Sequence, residues 1–179
     1  MKGLARLIFL LATTALLLSH AGTARAQEGA QPKTPPTLMQ AVLENWNDVG
    51  NRLITMAQDW PEEKYTYKLN PAVRTFQQVI LHIAGSNYDI INHQAGTKVG
   101  EAQNDPPVSQ YKTKAQTVAY LKKSVEDGAV LIQKEGDAGV LKHLSDWIGY
   151  TEHMGEHYGL LVAYYRATGG VPPESRPKK

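Results

Sequence analysis

The sequence predicts an all-α fold, an up-and-down type four-helix bundle. Three observations lead there. Four long segments carry apolar residues at steps of three and four, no stretch alternates for long enough to argue a sheet, and capping and stop signals bracket the segments at helical lengths. Helices of roughly 20 residues, most of them joined by short connections, bury such stripes most completely against one another around a shared core.

Ahead of the helices, Lys2 and Arg6 form a basic head, Leu7 to Leu18 is almost wholly apolar, and Ala24-Arg25-Ala26 has the small residues of an A-x-A cleavage site. The apolar run is roughly 12 residues, short of the ~20 that span a bilayer. Residues 1–26 are therefore expected to be a secretory signal peptide cut after Ala26, leaving a periplasmic or secreted chain with no membrane attachment. Cysteine is absent, so no lipid anchor, disulfide or thiolate metal ligand is available. Cleavage removes Lys2, Arg6 and Arg25 from the 19 basic residues, and the remaining 16 face 17 acidic ones. A near-neutral chain has no long-range positive field to draw in nucleic acid.

Residues 27–37 (QEGAQPKTPPT) read as a flexible leader. The first helix is expected from Leu38 to Asp59, stopped by Pro61, with Leu38, Val42, Trp46, Val49, Leu53 and Ala57 as its buried stripe. An irregular connection over 62–71 follows. Thr75-Phe-Gln-Gln78 has the capping-box pattern, in which Thr75 and Gln78 satisfy amides left open at a helix start. The second helix carries Phe76, Val79, Ile80, Ile83, Ile90 and Ile91, holds His82, and ends near Gly96. Residues 97–112, with Asp105-Pro-Pro107, form a loop long enough to border a site. A second capping box, Thr113-Lys-Ala-Gln116, opens the third helix, whose stripe is Val118, Leu121, Val125, Ala129 and Ile132 and which gives out around Glu135-Gly-Asp137. The last helix runs from about Ser145 to Thr168 and is closed by Gly169-Gly170 and Pro172-Pro173. The helical domain is thus expected over 38–173, with 174–179 a disordered tail.

The chemistry concentrates in Tyr150-Thr-Glu-His-Met-Gly-Glu-His-Tyr158. A spacing of four puts His153 and His157 on one helix face, one turn apart, where two imidazoles can share a divalent cation. His82 lies among Val79, Ile80, Leu81 and Ile83 and points into the core or along its edge. A buried imidazole needs a polar partner, and metal ligation is one way to supply it. His93 and His143 read as surface or capping residues. The same run satisfies H-x-x-E-H, the inverted zinc-protease pattern, but that pattern needs a further acidic ligand downstream and only Glu174 follows. Glu152 and Glu156 flank the pair and are placed to take a proton from water near an ion.

The run Glu156-His-Tyr-Gly-Leu-Leu-Val-Ala-Tyr-Tyr-Arg166, with Gly169-Gly-Val-Pro-Pro173, resembles the C-terminal helix and tail of the DinB family. Leu81-His-Ile-Ala-Gly-Ser-Asn-Tyr88 resembles that family's other signature. The resemblance covers about Leu38 to Pro173. It implies a bundle that is often a homodimer and holds one divalent ion, zinc or nickel, on three histidines, which map onto His82, His153 and His157. Some relatives use low-molecular-weight thiols for transfer or isomerisation, and others look like hydrolases. Leu160 departs from the family, where many relatives have Gln. Export is the second departure, since those thiols are cytosolic. The expected function is a metal-dependent hydrolase of a small-molecule substrate, with the ion as Lewis acid and Glu152 or Glu156 moving the proton. The alternatives are an exported protein that binds a metal or small ligand without turnover, and a thiol-dependent transferase. A purely structural ion fits less well, because such sites usually take four protein ligands.

Overall fold

The computed structural model describes residues 35–97 and 105–178. The expected signal peptide, most of the leader and Lys179 lie outside them. Among the described residues there are four helices, α1 (Leu38–Asp59), α2 (Phe76–Gln94), α3 (Lys114–Lys142) and α4 (Leu144–Ala167), with short 3-10 turns at Glu62–Lys64, Val108–Gln110 and Pro173–Ser175. The described residues contain no strand, as the helical periodicity implies. No helix among them is long and apolar enough to cross a membrane.

Both expected capping boxes form, at Thr75 with Gln78 and at Thr113 with Gln116. A third, at Thr37 with Gln40, opens α1, so the last leader residue belongs to the helix start. The third helix does not stop where its glycine suggested. Gly136 adopts φ 61° and ψ −174°, a region open essentially to glycine alone, and helical structure resumes beyond it as far as Lys142. His143 then ends α3 and starts α4 with no loop between them. The break aims its neighbours in useful directions. Asp137 accepts from Met39 N at 2.7 Å, which places an anion at the N-terminus of α1. Glu135 accepts from Trp147 Nε1 at 2.9 Å and lies 3.0 Å from His143 Nδ1.

Cross-helix contacts fix the direction of each helix. Met39–Asp137, Trp46–Val125 and Trp60–Lys114 run in opposite order, so α1 and α3 are antiparallel. Gln77–Thr117, Asn87–Ser124 and Tyr88–Asp127 rise together, so α2 and α3 are parallel. Asp89–Tyr150, His82–His153 and Arg74–Tyr164 make α2 and α4 antiparallel. Each of α1 and α2 packs against both α3 and α4, so consecutive pairs sit across the diagonal. The order is up, down, down, up, which corrects the up-and-down expectation. The physical reason is the segment 95–113. A 19-residue α2 is roughly 28 Å long at 1.5 Å per residue, and that segment is long enough to return the chain to the end where α2 began.

The core is rich in aromatic rings. Trp60 stacks on Phe76 with centroids 4.4 Å apart and meets the edge of Tyr165 at 4.8 Å, while Trp46 sits edge-on to Trp147 at 5.5 Å. Between α1 and α3 the backbones come very close. A Cβ added to Gly128 would lie 2.3 Å from the Trp46 ring, and one added to Gly50 would lie 2.5 Å from Val125. The tail is also ordered further than expected. Arg176 bonds Asp59 at 2.8 Å and the Val171 carbonyl at 3.0 Å, so within the expected disordered tail this residue is docked on the end of α1.

Candidate metal centre

The antiparallel pairing of α2 with α4 brings the three expected histidines together. His82 sits at mid-helix on α2, and His153 and His157 sit one turn apart on the facing side of α4. Nε2 of His153 lies 3.1 Å from Nε2 of His82 and 3.1 Å from Nε2 of His157. One ligand atom from each of the three falls within 4.8 Å of the others, so the cluster could hold a metal ion. The spacing suits one. Nitrogens about 2.0–2.1 Å from a shared cation and roughly 90–109° apart are separated by ~3.0–3.4 Å.

The polar bookkeeping of the rings points the same way. Nδ1 of His153 and of His157 is buried with no hydrogen-bond partner, so these rings engage polar atoms at the convergent Nε2 point. One shared proton cannot satisfy three nitrogens, whereas one cation accepts a lone pair from each. The two rings of α4 are also held neutral, as ligands must be. Burial, followed by the neighbouring His153 and His82, pushes His157 down to about 4. Burial and then His82 likewise lower His153.

Behind His82 stands a group that sequence reasoning missed. Oδ1 of Asp105 lies 3.1 Å from His82 Nδ1, and the Asp105 carboxylate is held from its far side by Arg74 at 2.8 Å. The Arg74 carbonyl in turn accepts from Tyr164 of α4. A carboxylate behind a ligating imidazole fixes the ring orientation and raises its basicity. The loop over 97–112 was expected to border a site, and Asp105 is where it does so. Its signal was the Asp-Pro-Pro turn, but the partner lies far back in the chain and no spacing rule points to it.

The expected proton-transfer residues fare differently. Glu152 is exposed and lines a groove with Val42 and Asn45 of α1. Glu156 is exposed, and its charge acts on His153, raising its proton affinity against the stronger effect of burial. His93 is 77% exposed and 3.9 Å from Asp146, and His143 caps the junction beside Glu135; neither joins the cluster. Tyr164 and Tyr165 are buried core, Leu160 packs against the core's edge, and Arg166 reaches Ser175 in the tail.

A cavity of about 390 Å³ opens beside His153, lined by Ser86 and Asp89 of α2 and by Asp146, Gly149 and Tyr150 of α4. The Tyr150 hydroxyl donates to Asp89, and burial, with Asp89 second, raises the phenol above its ordinary range so that it stays a donor. Comparison of the chain with family models, with curated proteins and with solved structures returns no match.

Proposed function

We propose that this chain is an exported DinB-type protein that binds one divalent ion, zinc or nickel, on His82, His153 and His157 and hydrolyses a small-molecule substrate. The observation that carries this reading is the convergence of three imidazole Nε2 atoms from two helices, that of His153 lying 3.1 Å from each of the other two. Three protein ligands instead of four among the described residues favour a working site over a structural one, because positions are left for water and substrate. When bound, a divalent ion supplies Lewis acidity and makes water a stronger acid near neutral pH.

The chain's own residues do the rest. Asp105 and Arg74 hold the His82 ring, burial keeps His153 and His157 unprotonated, and the cavity beside His153 admits a substrate. Glu156 is the carboxylate of α4 assigned to proton transfer. A second reading, ion or ligand binding without turnover, is favoured by one observation: Glu152 lines a groove against α1, and Glu156 is exposed.

Elemental mass spectrometry on the untagged protein recovered from secretion tests the site, beside a His153→Ala/His157→Ala double variant. About one ion per chain in the parent and none in the variant is the expected result. No metal in the parent after incubation with zinc and with nickel would refute it.

A further inference from the structure

The third histidine is held differently from the other two. His153 and His157 take their places from one helix face, whereas the carboxylate behind His82 comes from the segment 95–113 and its side chain is 52% exposed. A cavity of about 300 Å³ between Arg74, Gln78, Asp105 and Pro106 gives that carboxylate room to turn away from the ring. Pro106 and Pro107 narrow the backbone choices around Asp105 but leave its side chain free to rotate. An exposed carboxylate stays against an imidazole only where something fixes it. Among the described residues that group is Arg74, whose guanidinium donates to Oδ2 at 2.8 Å.

Arg74 itself lies outside α2, one residue before the Thr75 cap. Its backbone is fixed from α4, because the Tyr164 hydroxyl donates to the Arg74 carbonyl. Tyr164 is fully buried, with its ring edge-on to Tyr67 and to Phe76, so it has little freedom of its own. Burial raises its phenol above the ordinary range, and it remains a donor. Tyr164 follows His157 by seven residues, two turns along the same face of α4. The contacts therefore close a ring. One helix carries two of the histidines and, two turns on, the phenol whose contacts lead through Arg74 and Asp105 to the third.

Resting on the metal-site reading above, we propose that Tyr164 and Arg74 are positioning residues of the metal centre: the phenol fixes the Arg74 backbone, the guanidinium fixes Asp105, and the carboxylate orients His82 for the ion. An imidazole already aimed at the site gives up less freedom when the ion binds, so loosening any link lowers affinity without removing a ligand.

Zinc affinity by chelator competition on the full untagged protein tests this. Tyr164→Phe is expected to weaken zinc about three- to tenfold and Arg74→Gln about tenfold, with the stoichiometry at saturation unchanged. Arg74→Lys, which keeps the charge, is expected to lose less than Arg74→Gln. The decisive comparison is a double-mutant cycle. In an Asp105→Asn background, Tyr164→Phe and Arg74→Gln are expected to cost nothing further, because the link through which they act is already cut. The visible spectrum of the cobalt-loaded protein is a readout that remote packing does not move, and Tyr164→Phe is expected to shift it in the same sense as Asp105→Asn. Parental affinity and spectrum in both Tyr164→Phe and Arg74→Gln overturn the inference and leave the metal site standing. So does an equal loss with and without the Asp105 carboxylate, which would make Tyr164 a packing residue only. Should Tyr164→Phe fail to fold, the Arg74 variants and their cycle with Asp105 decide alone. A parent protein that binds no zinc overturns the metal reading, and the inference with it.

Discussion

Two walls of the same bundle are built to opposite specifications. Between α1 and α3 the helices touch through glycine: Gly128 lies under the buried Trp46 ring, Gly50 against Val125, and Trp46 Nε1 donates to the Val125 carbonyl at 2.9 Å. Nothing else fits there. Between α2 and α4 the helices stand apart over three imidazoles, a phenol–carboxylate pair and a cavity. The first wall supplies dense apolar contact, and the second gives part of that up to keep polar groups and space. The difference teaches that α1 and α3 act as a rigid backing for a half that must stay open.

The same substitution on each wall sharpens that contrast most. Gly128→Ala is expected to destabilise the protein by about 1–3 kcal/mol, because the new methyl overlaps a ring that cannot swing away. Gly149→Ala, with open space around it, is expected to be neutral or to stabilise by up to ~1 kcal/mol through helix propensity alone. Urea unfolding of both variants gives the answer, and equal losses would erase the distinction between the walls.

Next in size is Asp105→Asn. Removing the charge behind His82 is expected to weaken zinc about 10–100-fold in a chelator competition, with helicity unchanged. Unaltered affinity would mean that Asp105 merely rests against the ring.

The pH dependence is smaller and has a definite sign. His157 titrates at about 4 in the fold and near 6.5 unfolded, so between those values the unfolded chain holds more protons. The metal-free protein should therefore lose stability as pH falls from 6.5 to 4 and level off below. His157→Asn should flatten that slope, which thermal melts across the range would register. His93→Ala is expected to have the least effect, none on metal content, since that ring stands exposed outside the cluster.

Periodicity made the helices legible. The stripe residues Trp46, Leu53 and Ala57, and Leu121, Val125 and Ile132, are all buried, and both expected Thr–Gln boxes form. The i,i+4 spacing likewise put His153 and His157 on one face. His82 was harder, because a histidine in an apolar run is equally compatible with the core or its edge, and only the resemblance selected it. Chain direction was illegible, since a long connection permits either return. Gly136 announced a break but not that the helix resumes, which depends on Asp137 finding the start of α1. Arg176 pairs with Asp59 across 117 residues, which no local pattern can announce. Glu152 and Glu156 each precede one histidine of the pair by 100° of helix, so step counting could not tell them apart; only the packing of α1 puts Glu152 in a groove with Val42 and Asn45.

His82 and His153 are separated by 71 residues of chain, and they meet only when α2 and α4 are both in place. An ion seated on the triad is thus a clasp across most of the domain, and its grip enters the folding equilibrium directly. At a free concentration a hundredfold above its dissociation constant it would add about 2.7 kcal/mol to stability. How long a molecule survives among proteases would then be set by how much free metal surrounds it, so that a starved compartment would clear the protein and a replete one would keep it.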